Sequence, residues 1–290
     1  MTENPHPENL SWQIGDVRVT RVQEIEDSGL EWVIKQASPD NLKKIPWLAP
    51  HFVDDRWEAL LSVHALVIET PDRRILVDTC VGNDKNLPIS AWAQLTGPFL
   101  EDLSAAGFAP DTVDTVLCTH LHVDHVGWNT MLVDGQWKPT FPQARYLFAK
   151  EEWAHWDAQE DDFSTTVLSE SIRPVWDAGL VDLVESTHRV CNEVWLEPSP
   201  GHTPGHVSVR IASGGEEAVI TGDMIHHPCQ FAEPGWGSVA DSDFDQGIAT
   251  RESFFERHAE TPMLVIGTHF ASPSAGRVVR DGKAYRLDVD

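Results

Sequence analysis

Thr119-His120-Leu121-His122-Val123-Asp124-His125-Val126-Gly127 is the stretch of this 290-residue chain on which its reading turns. It follows TVDTVLC, a short apolar segment that reads as a strand running straight into a histidine cluster. At a strand end, side chains alternate with period two, so His120 and His122 point the same way. Asp124 and His125 are adjacent and project in another direction. One short loop therefore offers two ligands to one cation and two to a neighbour. Imidazole together with carboxylate suits zinc, with iron, manganese or cobalt as substitutes. The C-terminal end of a strand is also where α/β sheets usually place their chemistry, and Gly127 permits a tight turn beyond it.

Three further stretches end in the same kind of residue. Ser199-Pro200-Gly201-His202-Thr203-Pro204-Gly205-His206 builds a rigid turn around His202, with His206 expected to hydrogen-bond within the loop. Ala218–Asp223 (AVITGD) is an apolar strand that delivers a carboxylate suited to bridging two cations. Met263–His269 (MLVIGTH) is another strand ending in histidine. A surface histidine cluster that binds metal adventitiously is the competing reading, and four strand-end sites in one chain argue against it.

Composition narrows the field. With 21 Lys and Arg against 46 Asp and Glu, the formal net charge is −25, which repels phosphate backbones and anionic lipid. Nucleic-acid and membrane-surface roles are thereby disfavoured. The start, MTENPHPENLSW, lacks the basic and apolar regions of a secretory leader. Cys80, Cys118, Cys191 and Cys229 form no CxxC pair and read as the reduced thiols of a cytoplasmic protein. No GxSxG, P-loop or GxGxxG is present, which removes the main competing enzyme classes.

The rest of the chain reads as layered α/β. Trp12–Val22 alternates as a half-buried strand does. Residues 28–60, broken by Pro39, Pro46 and Pro50 and carrying Trp32, Trp47 and Trp57, read as irregular. Residues 1–60 are thus expected to be an N-terminal extension forming a lid or a homodimer contact. Two strands, SVHALVIET and RRILVDT, meet at a Pro71-Asp72 turn. Helical spacing is expected over Trp92–Ala106 and residues 150–180, the latter burying Trp153, Trp156, Val167, Ile172 and Val175. Strands are expected at RYLFAK, VWLEP, HVSVRIAS, EAVITGD and MLVIGTH, with a helix around Glu252–His258. Strands in two groups, each with helices, predict two stacked sheets in a single domain over residues 1–290.

In the order of these motifs, from Asp78 in LVDT through the histidine run, the Gly-His-Thr-Pro-Gly-His loop, Gly-Asp and the last His, the chain resembles the metallo-β-lactamase-fold hydrolases over roughly residues 60–275. That resemblance implies a four-layer αβ/βα sandwich with a dinuclear centre. It assigns His120, His122 and His202 to one metal and Asp124, His125 and His269 to the other, with Asp223 bridging and Asp78 orienting the motif loop. Two divalent ions, zinc first among them, then share a water ionised near neutral pH, and a bridging hydroxide attacks a carbonyl or phosphoryl centre. Asp124, Asp223 and His226 are the catalytic candidates.

N-acyl homoserine lactonases usually carry tyrosine three residues beyond the bridging Asp, where this chain has His226. That position followed by Gln-Phe looks more like the methyl parathion hydrolase branch and its lactone- and ester-cleaving relatives. Trp128, Phe231 and Trp236 are candidate pocket walls, which implies a small neutral or apolar lactone or ester. A phosphotriesterase and a non-catalytic metal-binding or ligand-sensing protein of the same fold are the alternatives.

Overall fold

The computed structural model describes residues 9–289, so the reading of the first eight residues as leaderless lies outside the described residues. The chain forms two compact units, each made of two separate stretches: residues 9–24 with 63–185, and residues 25–62 with 186–289. Among the described residues, no helix is long and apolar enough to cross a membrane.

The first unit is built on a seven-stranded sheet of order β1-β2-β3-β4-β5-β8-β9. Its strands are β1 (Ser11–Ile14), β2 (Val17–Ser28), β3 (Leu60–Glu69), β4 (Arg74–Val77), β5 (Thr115–Leu117), β8 (Arg145–Ala149) and β9 (Val181–Val184). A separate ribbon pairs β6 (Thr130–Val133) with β7 (Gln136–Pro139). The α-helices among the described residues are α1 (Pro39–Leu42), α2 (Phe99–Ala105), α3 (Val123–Val126), α4 (Lys150–Asp157), α5 (Asp162–Val167), α6 (Arg173–Asp177), α7 (Cys229–Ala232) and α8 (Phe244–His258). Strand β3 is buried almost without interruption, as a central strand covered on both faces should be. Strands β4 and β5 run parallel in the register Val77↔Leu117, so both stop at the same edge. Asp78 and the 119–127 segment, which continue the chain beyond those two strand ends, are therefore brought together.

The second unit carries a six-stranded sheet of order β10 to β15: Val194–Pro198, Val207–Ser213, Glu216–Ile220, Leu264–Ile266, Ala275–Asp281 and Ala284–Asp288. The same device recurs. Strands β12 and β13 are parallel with Ile220↔Ile266, and their ends lead to Asp223 and His269. The β10–β11 hairpin closes at Pro198↔Val207, and its loop carries His202.

Several expectations need correction. Trp12–Val22 is not one strand but the β1–β2 hairpin, turned at Gly15 with φ of 54°. The helix expected from Trp92 begins only at Phe99, because Gly97-Pro98 interrupts it and Gln94 takes a left-handed φ of 53°. The helical region 150–180 is broken after α4, then restarted by Asp161, whose carboxylate accepts the Ser164 N–H, and it includes a π-helical turn at Leu168–Ile172. Its five named apolar residues are buried as expected.

Residues 9–60 are not an appendage in either unit. The β1–β2 hairpin extends the first sheet, while Leu30, Ile34, Leu42, Leu48 and Phe52 join Val219, Phe231, Phe255 and Val265 in the second unit's core. Trp47 and Trp57 pack partly buried against that core, and Trp32 stays exposed.

Candidate metal centre

In the first unit, strand β5 ends at Leu117, so the histidines lie in the loop beyond it rather than on the strand itself. The chain then turns into α3, whose first turn holds Asp124 and His125. Asp78, with φ of 57°, turns its carboxylate toward this loop. One of its oxygens accepts the Thr119 N–H at 2.7 Å; the other accepts the Thr119 hydroxyl at 2.9 Å and His125 Nδ1 at 2.9 Å. The Thr119 oxygen lies 3.0 Å from His120 Nδ1. Because Thr119 donates to Asp78, it accepts from His120, which fixes the His120 tautomer with its Nε2 lone pair outward. That nitrogen meets His122 Nδ1 at 3.0 Å, the two rings standing nearly perpendicular. His120 and His122 thus converge.

In the second unit, Asp223 is the hub. Its Oδ1 lies 3.1 Å from His269 Nε2, and its Oδ2 lies 3.5 Å from His202 Nε2 and 3.2 Å from His226 Nε2. The far side of each of two imidazoles is held: His269 Nδ1 is 3.1 Å from the Ser62 carbonyl, and His202 Nδ1 is 2.9 Å from Asp241 Oδ1. His206 bonds within its own loop, as expected. Its Nδ1 faces Ser199, and its Nε2 accepts the Asp223 N–H at 2.9 Å, which sets that carboxylate's backbone.

These contacts test whether the donors suit a cation. A carbonyl oxygen only accepts, so His269 Nδ1 carries the hydrogen. In the neutral ring, the Nε2 lone pair then faces a carboxylate oxygen at 3.1 Å. Two acceptors at that separation repel unless positive charge lies between them. His125 shows the same logic: its Nδ1 is taken by Asp78, and its Nε2 faces Asp124 Oδ1 at 3.8 Å. Histidines whose outer nitrogen is tied to a carboxylate or carbonyl, with Nε2 turned toward further donors, are the arrangement that metal-binding imidazoles adopt. The residues fit divalent cations.

The other candidates fall differently. His226 lies beside Asp223, with its backbone N–H held by Gln230 Oε1 at 2.7 Å. Trp128 is buried, stacks on Phe99 at 5.8 Å and donates to Glu24 at 2.6 Å. Phe231 is fully buried between Phe255 and Phe270, so it is a core residue rather than the wall of an open pocket; its helix α7 turns it inward. Trp236 packs partly buried on the same core, and its carbonyl accepts from Gln230 and Arg251.

Asp241, Glu24 and Glu152 escaped the sequence reading. Asp241 sits in the acidic run ADSDFD, where nothing in the spacing distinguishes it from its solvated neighbours. Burial pushes its carboxyl up from the usual range. Burial likewise pushes Glu24 up to about 7, offset in part by the N–H groups of Val81, Trp128 and Gly82, with the charge of Asp124 adding to the rise.

A family model for the metallo-beta-lactamase superfamily matches residues 59–269. The chain belongs to the metallo-beta-lactamase superfamily. Among curated members, it is 26% identical over 188 residues to the probable metallo-hydrolase Rv2300c of Mycobacterium tuberculosis, 58% of each chain. It is 34% identical over 80 residues to the N-acyl homoserine lactonase AiiB of Agrobacterium fabrum, covering 23% of this chain and 28% of that one. The chain thus spans under two thirds of the length of these curated relatives. Among solved structures, AidC, a dizinc quorum-quenching lactonase in complex with a product, matches with a TM-score of 0.77 at 23% identity over 97% of both chains. The hydrolase AbOPH gives 0.78 at 24% identity, again over 97% of each. The fold is therefore that of the metallo-beta-lactamases, as the motifs implied.

Proposed function

We propose that this chain is a dinuclear metal-dependent hydrolase of small, neutral lactones or carboxylic esters. The observation that carries the reading is the Asp223 carboxylate, whose two oxygens face different imidazoles, His269 on Oδ1 and His202 on Oδ2. A carboxylate presented in that way is suited to join two cations. By the resemblance, His120, His122 and His202 would hold one ion and Asp124, His125 and His269 the other, with Asp223 shared.

Bound divalent ions, zinc in the first instance, supply water ionised at a pKa near ~7 and polarise the scissile carbonyl. The chain's own residues do the rest. Asp78, Asp241 and the Ser62 carbonyl hold His125, His202 and His269 in the tautomer that presents Nε2. Asp124 and Asp223 bring the negative charge that fixes the cations. His226 Nε2 stands 3.2 Å from Asp223 Oδ2, and His226 is the candidate to give a proton from that nitrogen to the departing alkoxide.

The net charge of −25 favours neutral substrates over anionic ones. Relatives named as N-acyl homoserine lactonases favour a lactone first. The described cysteines are free thiols, in keeping with a reducing, cytoplasmic setting.

Elemental analysis and a panel of lactones, aryl esters, thioesters and phosphotriesters test the reading. Close to two cations per chain and fastest turnover of a lactone or ester are expected. Fastest turnover of a phosphotriester would replace the substrate class, and no turnover at full metal loading would favour a ligand-sensing role.

A further inference from the structure

Three segments distant in sequence hold the 119–128 region through carboxylates, those of Asp78 and Glu152 buried and that of Glu24 half-buried, and two of these are not explained by the ligand set. Glu152 on α4 is 1% exposed. Its Oε1 accepts the N–H of Leu121, the residue between His120 and His122, at 3.0 Å. The same oxygen accepts Trp156 Nε1–H at 2.8 Å. Trp156, one turn further along the helix, stands nearly perpendicular to the His122 ring at 5.5 Å. One carboxylate oxygen therefore fixes both the peptide between two ligands and the indole that walls the second of them.

Glu24 on β2 holds the other arm. Its Oε2 accepts Val81 N–H at 2.7 Å, and its Oε1 accepts Gly82 N–H at 3.0 Å and Trp128 Nε1–H at 2.6 Å. The strip 79–82 is in turn zipped to the chain around α3. Thr79 N–H reaches the His125 carbonyl, Gly127 N–H the Cys80 carbonyl, and Trp128 N–H the Thr79 carbonyl, each at 2.8 Å. A Cβ on Gly127 would come within 1.7 Å of the Val81 oxygen, so the two strips touch with no room to slide. Displacing the Glu24 contacts must then displace the turn that carries Asp124 and His125.

We propose that Glu152 and Glu24 are positioning residues that act on separate arms of the motif. Glu152 sets the arm of His120 and His122, Glu24 sets that of Asp124 and His125, and each thereby governs the affinity of one of the two cations. The proposal rests on the two-cation reading above. It also separates two functions that a single loop would otherwise couple, because each arm has its own external anchor.

The two carboxylates predict different chemistry on substitution. Both bonds described for Glu152 end on Oε1. Those of Glu24 use both oxygens, so glutamine there turns an amide N–H toward a backbone N–H.

The experiment uses the full chain, with Zn²⁺ titrated against a chromophoric chelator in two backgrounds. Asp124→Ala leaves the first position, and His122→Ala leaves the second. Glu152→Leu is expected to weaken the remaining ion about tenfold or more in the Asp124→Ala background and less than about threefold in the other. Glu24→Gln is expected to do the reverse. Circular dichroism confirms that each variant folds. If Glu152→Leu does not, Glu152→Asp, which withdraws the same oxygen by one methylene, is read in its place.

Equal weakening in both backgrounds, or no weakening in either, overturns the separate anchoring. An unsubstituted chain that binds fewer than two ions instead overturns the dinuclear reading, so the two failures are distinguishable.

Discussion

Replacing Asp241 with asparagine puts the histidine-support argument to a direct measurement. Asp241 Oδ1 receives His202 Nδ1–H at 2.9 Å, and Oδ2 receives Ser238 N–H at 2.8 Å. Asparagine keeps the shape but only one acceptor oxygen. If that oxygen faces His202, the amide N–H opposes Ser238 N–H. If it faces Ser238, the amide N–H opposes His202 Nδ1–H and favours the other tautomer, which removes the Nε2 lone pair. Either way, a hydrogen bond to a charged group is lost, worth about 1.5–3 kcal/mol. At about 1.4 kcal/mol per decade, that is about a 10- to 100-fold loss of zinc affinity, the range typical for groups that support metal-bound histidine. A chelator-competition titration at pH 7.5 reads it. The metal-free variant should unfold within about 1 kcal/mol of the parent, because its neutral amide no longer bears the burial cost that raises the carboxyl's pKa. Unchanged zinc affinity would refute the claim that Asp241 sets the His202 tautomer.

Three other outcomes are expected. Lys85 is buried with Nζ 2.7 Å from Thr130 Oγ1 and 3.7 Å from the Trp137 ring, and burial lowers its pKa from 10.5 to about 7. Between those values the unfolded chain holds the proton and the native one does not, so stability rises with pH by about 1.4 kcal/mol per unit. Urea unfolding at pH 7.5, 8.5 and 9.5 should show that Lys85→Met removes this slope, and an unaltered slope would contradict it. His226→Phe should lower kcat at least tenfold while elemental analysis still finds both ions; unchanged kcat would make His226 a packing residue. Gly127→Ala should cost at least about 3 kcal/mol in the same unfolding assay, since its methyl would overlap the Val81 carbonyl rather than any movable side chain.

What could be read from sequence were features encoded by local spacing. His120, His122, Asp124 and His125 occupy six consecutive residues, Asp223 and His269 each close a short apolar run, and His202 sits in a turn marked by two Pro and two Gly, so local pattern pointed to these segments. Groups defined by long-range contacts stayed hidden. Asp241 meets His202 across 39 residues, and Glu24 meets Trp128 across 104. Adjacency to a motif also misled. Phe231 follows the second cluster closely, yet one turn of α7 directs it into the core. The helix expected from Trp92 had the right apolar spacing, and only Gly97-Pro98 argued against it. The proline-broken residues 28–60 gave no sign of a fold of their own because their partners lie in the last third of the chain.

That last arrangement has a consequence for synthesis. Leu30, Ile34, Leu42, Leu48 and Phe52 share a core with Val219, Phe231 and Phe255, the nearest of which follows about 170 residues later. At roughly 5–20 residues per second, this greasy segment leaves the ribosome roughly 10–35 s before anything exists to cover it. Meanwhile, the sheet of the first unit can form as soon as β9 emerges. The newborn protein therefore passes through a half-built stage with one finished sheet and a bare apolar tail looped out near its beginning. Chaperone supply during translation, rather than the stability of the finished molecule, is where its yield in a foreign host should be decided.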